Sequence, residues 1–227
     1  MRIRLPAALA LFAFAAPAGA ADFSFSGTFS ADDDVVVFDF LVGTPFTVTL
    51  RSYSYAGALQ ADGTVVPFGG FDPILAVFDA AGTLVGDQDD AGAEAVPADP
   101  ITGEAFDVRL DLALGAGAYS VAVSQYSNLA IGPSLSDGFG QAGATFTSQY
   151  GCSNGRFCDA GGSNRTPFFA FDILGVLNAA VSDGTTGGVD VGEGGGGMSV
   201  VPVPAAGSLA ALGLLALAGL GRRRRRS

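Results

Sequence analysis

Alternation of apolar and polar positions with period two recurs through the middle of the chain. The stretch FDVRLDLAL sets Phe106, Val108, Leu110, Leu112 and Leu114 on one face and Asp107, Arg109 and Asp111 on the other, the pattern of a half-buried strand. GAYSVAVSQY follows a Gly115-Ala116-Gly117 turn, with Tyr119, Val121 and Val123 alternating against Ser120 and Ser124. The two runs together predict a β-hairpin. DVVVFDFLVGTPFTVTL reads as another strand–turn–strand unit. In it Val35, Val37 and Asp39 oppose Val36, Phe38 and Phe40, and Phe46, Val48 and Leu50 then alternate with Thr47 and Thr49. PILAVFDAAGTLVGD supplies a third unit, hinged at Ala80-Ala81-Gly82, and PFFAFDILGV (167–176) predicts a central or closing strand. Sustained 3.6-residue periodicity is absent from this region. Many short strands with Gly-rich turns and no helices predict an all-β fold, an antiparallel β-sandwich of two sheets.

The two ends depart from this pattern. Residues 1–20, MRIRLPAALALFAFAAPAGA, have a positive start at Arg2 and Arg4 and an apolar run from Leu5 to Ala16. The small-x-small triplet Ala18-Gly19-Ala20 then predicts a secretory signal peptide, cut by signal peptidase between Ala20 and Ala21. At the other end, Ala205–Gly221 is 17 residues of Ala, Gly and Leu interrupted only by Ser208. As a transmembrane helix it spans roughly 25 Å against the ~30 Å of a bilayer core. Arg222–Arg226 behind it resist translocation, which leaves the bulk of the chain outside the cytoplasm. Residues 181–200 contain 8 glycines and read as a linker. What remains, 21–180, is long enough for one domain with a real core.

Ahead of the apolar stretch stands Val201-Pro202-Val203-Pro204-Ala205. Two prolines one residue apart favour an extended backbone and remove two amide donors. The order of Pro motif, short apolar helix and terminal Arg cluster resembles the PEP-CTERM family of bacterial sorting signals. The resemblance is specifically to the variant built around Val-Pro-Leu-Pro-Ala, from which this chain departs by a Val in the Leu place. The resemblance covers about 27 residues, 201–227. It implies recognition by an exosortase, a membrane transpeptidase-like enzyme that cuts near the motif. It also implies delivery to the cell surface or extracellular matrix in association with exopolysaccharide.

A second resemblance rests on GGFDPILAVFDAAGTLVGDQDD followed by LDLALGAGAYSVAVSQYSN. Both are similar to the pre-peptidase C-terminal type of β-sandwich, and to its exported bacterial relatives with FDP in this place. The similarity covers roughly residues 23–177 and implies a jelly-roll-like sandwich with an accessory or surface role. It brings no catalytic residues with it.

Composition narrows the chemistry. All 11 basic residues are Arg, and the chain of 227 residues has no Lys, His or Trp. Two arginines lie in the first four residues and five in the final cluster. The intervening chain therefore carries four against 22 acidic residues, a net charge of −18. Such a charge excludes nucleic acid and anionic membrane surfaces as partners and favours divalent cations. Without His or Lys, Ser-His-Asp and Cys-His schemes are excluded, as are imidazole-based zinc and iron sites. A carboxylate pair of the glycosidase kind remains, but no pair stands out in the sequence. The chain is therefore expected to be non-enzymatic.

Three smaller features complete the picture. Cys152 and Cys158 are the only cysteines, with an Asn154-Gly155 turn between them, and are expected to form a structural disulfide. GDQDD offers Asp87, Asp89 and Asp90 as hard oxygen ligands for calcium, the alternative being a solvated turn. ADDDV offers Asp32, Asp33 and Asp34 in the same two readings.

Overall fold

The computed structural model describes residues 19–182 together with Val203 and Pro204. Residues 1–18 of the predicted signal peptide lie outside the described residues. So do 183–200 of the linker, the motif residues Val201, Pro202 and Ala205, and the apolar stretch 205–221. Among the described residues no helix is long and apolar enough to cross a membrane.

Two five-stranded antiparallel sheets make up the body, as the alternation predicts. In chain order the strands are β1 (Ala21–Thr28), β2 (Val36–Val42), β3 (Phe46–Ser52), β4 (Ala58–Leu59), β5 (Val65–Val66) and β6 (Pro73–Asp79). They continue with β7 (Leu84–Gln88), β8 (Arg109–Leu114), β9 (Gly117–Gln125), β10 (Phe168–Val176), β11 (Asn178–Val181) and β12 (Val203–Pro204). The first sheet runs β12-β1-β10-β3-β8 and the second β11-β2-β9-β6-β7, with β4-β5 a separate small hairpin. Short 3₁₀ turns occupy Leu135–Asp137 and Phe146–Tyr150. The 167–176 run forms β10, the middle strand of its sheet, and the 80–82 turn closes a true β6–β7 hairpin.

The hairpin expected across Gly115-Ala116-Gly117 does not form. β8 pairs with β3 in the first sheet, whereas β9 pairs with β2 and β6 in the second. Residues 36–52 and 109–125 instead make one long antiparallel ribbon that folds over between the sheets. Its register runs from Val36↔Val123 to Val42↔Gly117, then from Phe46↔Leu114 to Arg51↔Arg109. The β10–β11 segment bends alongside at the same level, held by the Leu177 amide donating to the Leu41 carbonyl at 2.8 Å. Small residues make this corner possible. A Cβ on Gly43 would sit 2.6 Å from Leu177 Cδ1, and one on Gly175, whose φ is +82°, 2.6 Å from Phe46 Cε1.

Phenylalanine takes the place of the missing tryptophan in the core. Phe38 of β2 meets Phe25 of β1 and Phe171 of β10 across the sheets, with ring centroids 4.6 and 4.8 Å apart. Phe29 continues the stack to Phe71 at 4.7 Å. Each such ring contributes roughly 1.5–3 kcal/mol by burial, and aromatic pairing adds to it. β6 is apolar on both faces because its outer face is covered too. Val35, Val37 and Phe78 pack there beneath Leu135 and Phe139 of the 127–140 loop.

Candidate metal centre

The β6–β7 hairpin places the site. Its register pairs Leu75 with Gln88, so the residues just after β7 lie beside the residue just before β6. That residue is Asp72. Its carbonyl accepts from the Tyr126 amide at 2.9 Å, which fixes it to the end of β9 as well. One carboxylate oxygen from each of Asp72, Asp89 and Asp90 lies within 4.8 Å of the others. Asp72 is 3% exposed, Asp89 is half-buried and Asp90 faces solvent, so the cluster opens outward through Asp90.

This arrangement corrects the sequence reading in one member. Asp89 and Asp90 belong to the cluster, while Asp87 remains on the exposed face of the edge strand β7 and is not part of it. The strand ends at Gln88, so the alternate-residue relation between Asp87 and Asp89 is broken where the chain turns inward. Asp72, which replaces it, was hidden in FDP. Extending the hairpin register by three residues from Leu75↔Gln88 points position 72 towards the 89–91 turn, and that signal could have found it.

Other buried carboxylates in the body have partners. Asp107, which alternation put on the solvent face, is 1% exposed and precedes β8. It accepts from Ser52 Oγ at 2.7 Å, the Ala56 amide at 2.8 Å and the Tyr55 amide at 3.2 Å. Asp172 accepts from Tyr53 Oη at 2.7 Å, the Ala61 amide at 2.9 Å and Gln60 Nε2 at 3.1 Å. Asp159 accepts from Tyr55 Oη at 2.7 Å and the Ser163 amide at 2.8 Å. The 32–34 run likewise organises loops. Asp32 accepts from the Thr147 hydroxyl and the Phe157 amide, Asp33 from the Gly143 amide, and Asp34 from the Ser30 and Ala31 amides. Cys152 and Cys158 form the expected disulfide, next to the Asp32 anchor.

Asp72 differs from all of these. Its Oδ1 is buried and has no hydrogen-bond partner, and the same holds for Asp89 Oδ1. Gln125, paired with Pro73 on the neighbouring strand, also leaves its buried Oε1 unpartnered. Burial, reinforced by Asp89, Asp90, Asp107 and Asp159, holds the Asp72 carboxyl well above the usual carboxylate range. Burial and then Asp90 push Asp89 up to about 6, and burial and then Glu104 raise Asp90. Tyr126 flanks the cluster and stacks on Tyr150 at 6.3 Å. Burial, Tyr150 and then the three carboxylates raise its phenol.

A cavity of about 530 Å³ lies elsewhere, on the outer face of the second sheet. Val35, Val37, Leu135, Phe139 and several serines line it, with no titratable group among them. Ala21 begins β1 as a buried residue and Ala20 is exposed beside it, while Val203 and Pro204 pair with Asp22 and Ala21 along the edge of β1. Compared with known proteins, the chain matches no family model, no curated protein and no solved structure.

Proposed function

We propose that this is a non-enzymatic exported protein, a jelly-roll-like sandwich carried to the cell surface or extracellular matrix by processing of its C-terminal tail. The observation that carries the reading is the order of Val201–Ala205, the apolar stretch 205–221 and Arg222–Arg226 at the very end of the chain. Strands β1 to β11, which include every strand of both sheets except the short edge strand β12, end at Val181 ahead of the Gly-rich segment, which supports a body separate from the tail. A disulfide within that body suits an oxidising compartment. The cavity offers no acid, base or nucleophile stronger than a serine hydroxyl, and most buried carboxylates are spent on holding loops. In this reading signal peptidase and an exosortase-type enzyme are the processing partners, and exopolysaccharide is the material the body sits in.

The mass of the mature protein's C-terminal peptide, recovered from the cell surface or medium, tests the proposal. A peptide ending near Pro204 and lacking Arg222–Arg226 supports it. A peptide that retains the five arginines reduces the tail to an anchor and removes the extracellular role.

A further inference from the structure

We infer that Asp72, Asp89 and Asp90 bind a calcium ion at the junction of β6, β7 and β9. The inference goes beyond the sorting proposal and does not depend on the fate of the tail. Three observations carry it. The carboxylate oxygens lie within 4.8 Å of one another, and oxygens bound to a common calcium ion at roughly 2.4 Å lie at most about 4.8 Å apart. Asp72 is 3% exposed, yet its Oδ1 points at no donor. A buried carboxylate oxygen without a partner is a rare and costly feature that calls for an unseen cation or proton. Lastly, every neighbouring group named above that strains Asp72 is another acid, so protein side chains add repulsion where a cation would remove it.

The donor set decides the ion. It consists of oxygens alone, in a chain with no His and with both cysteines in a disulfide, which selects a hard cation over zinc or copper. Magnesium gives up its waters reluctantly and demands a near-ideal octahedron, whereas calcium accepts irregular sets of six to eight oxygens. Direct ligation by a buried Asp72 beside an exposed Asp90 suits calcium. The remaining positions face outward past Asp90, where water completes the shell. The ion would tie the turn after β7 to the residue before β6, already bonded through its carbonyl to the Tyr126 amide at the end of β9, and would offset the repulsion among the three carboxylates.

The test uses the full chain, stripped with chelator. Calcium at about 10 mM, enough to saturate an extracellular module of Kd roughly 10⁻⁴–10⁻³ M, should raise the melting temperature, and magnesium should raise it much less. Terbium bound at the site should luminesce on tyrosine excitation through the adjacent Tyr126, and calcium should displace it. Asp89→Asn and Asp72→Asn should each weaken binding by more than the roughly 10–100-fold typical of outer-sphere partners, while Asp87→Asn should leave it unchanged. Should Asp72→Asn not fold, Asp89→Asn and Asp90→Asn carry the comparison. The inference is overturned if wild type shows neither a calcium-dependent shift nor displaceable terbium. It is equally overturned if the Asp89 and Asp90 variants respond as wild type does, since the ion would then sit elsewhere, or if the Asp87 variant loses the response.

Discussion

Arg165 lies flat against Tyr55, its guanidinium carbon 3.6 Å from the ring centroid, while its Nη2 donates to the Tyr55 carbonyl at 2.6 Å. The same nitrogen meets Asp99 Oδ2 at 3.1 Å, with both side chains almost fully buried. One arginine thus gathers the loop after β3, the loop after β7 and the approach to β10. Burial works to raise Asp99, but the Thr102 and Ile101 amides and the Arg165 guanidinium hold it below its ordinary value.

Replacing Arg165 by Met therefore strands a buried charge. The expected loss is about 3–5 kcal/mol, or roughly 2–4 °C of melting temperature for each kcal/mol in a domain of this size. Arg165→Met combined with Asp99→Asn should lose less than Arg165→Met alone, because no uncompensated carboxylate remains. The exposed pair Arg109–Asp111, at 3.2 Å and 44% exposure on both sides, is the control. Arg109→Ala should change stability by about 0–1 kcal/mol. Thermal unfolding of the three variants beside wild type checks all of this.

Alkaline titration should separate the tyrosines. Burial, followed by the hydrogen bond to Asp172, raises Tyr53 far above its ordinary 10.0. Burial and the bond to Asp159 likewise raise Tyr55, against the opposing Thr102 hydroxyl and Arg165. A group whose pKa is raised by folding contributes stability that is fully present below its unfolded pKa and is lost as pH climbs above it. The protein should therefore lose stability progressively above pH 10.0, the ordinary tyrosine value. Tyrosinate absorbance should show Tyr53 and Tyr55 ionising only as the fold is lost. Ionisation of all five tyrosines while the fold persists would contradict it.

Glycine substitutions should divide by what a methyl group would meet. At Gly70 a Cβ would lie 2.5 Å from the backbone oxygens of both Phe168 and Ser54, neither of which can swing away. Gly70→Ala should cost at least the roughly 1–3 kcal/mol of an overpacked core. At Gly63, φ is +89° and nothing lies within 4 Å. Gly63→Ala should cost only the roughly 1–2 kcal/mol of a left-handed residue. Denaturant midpoints at unchanged slope would measure the difference.

These contrasts also show what the chain revealed before folding. The β6–β7 hairpin, β10 as a middle strand and the Cys152–Cys158 bridge were legible, because a local turn, a dense apolar run and a pair of cysteines are local signals. The destination of β8 and β9 was not. Alternation reports which side chains face the apolar layer, and both sheets of a sandwich face the same layer. A strand that crosses from one sheet to the other at Gly115 keeps its inward face, and Leu110, Leu114, Val121 and Val123 all point into one core. Tertiary pairing, invisible to periodicity, decides the partner. Asp107 was misplaced for a related reason. It lies before β8 begins, where Ser52 and the 54–56 backbone draw it inward, so period two no longer applies. Two of the three cluster acids were legible as an acidic turn, whereas the third arrives from 17 residues earlier through the hairpin register.

Reduction of the disulfide is expected to weaken the fold moderately. Cys158 lies six positions after Cys152, and closing so short a loop stabilises by about 2 kcal/mol on the chain-entropy model. The bridge also frames Phe157, whose amide donates to Asp32, and Cys158, whose amide donates to Thr147 Oγ1. Cys152→Ser with Cys158→Ser should lower the melting temperature by roughly 4–8 °C. Asp32→Ala should add less on that background than alone, since the two changes disturb one anchor.

The two kinds of buried aspartate should respond in opposite directions to the same substitution. Asp107→Asn keeps the shape but puts an amide NH₂ in place of one carboxylate oxygen. Even with the remaining oxygen kept at the Oδ1 position for Ser52 and Tyr55, the NH₂ then faces the Ala56 amide, a donor that loses its acceptor. Each buried donor left without an acceptor costs about 1–3 kcal/mol, so this variant should melt well below wild type with or without metal. Asp72→Asn removes a carboxylate whose Oδ1 has no donor to lose and relieves its repulsion with Asp89 and Asp90. In chelator it should melt above wild type, and on adding calcium the order should reverse, because only wild type then gains from the ion. The crossing of the two melting temperatures with calcium is the measurement. If Asp72→Asn melts below wild type in chelator as Asp107→Asn does, Asp72 is another loop anchor and the repulsion drawn between it and its neighbours does not govern the junction.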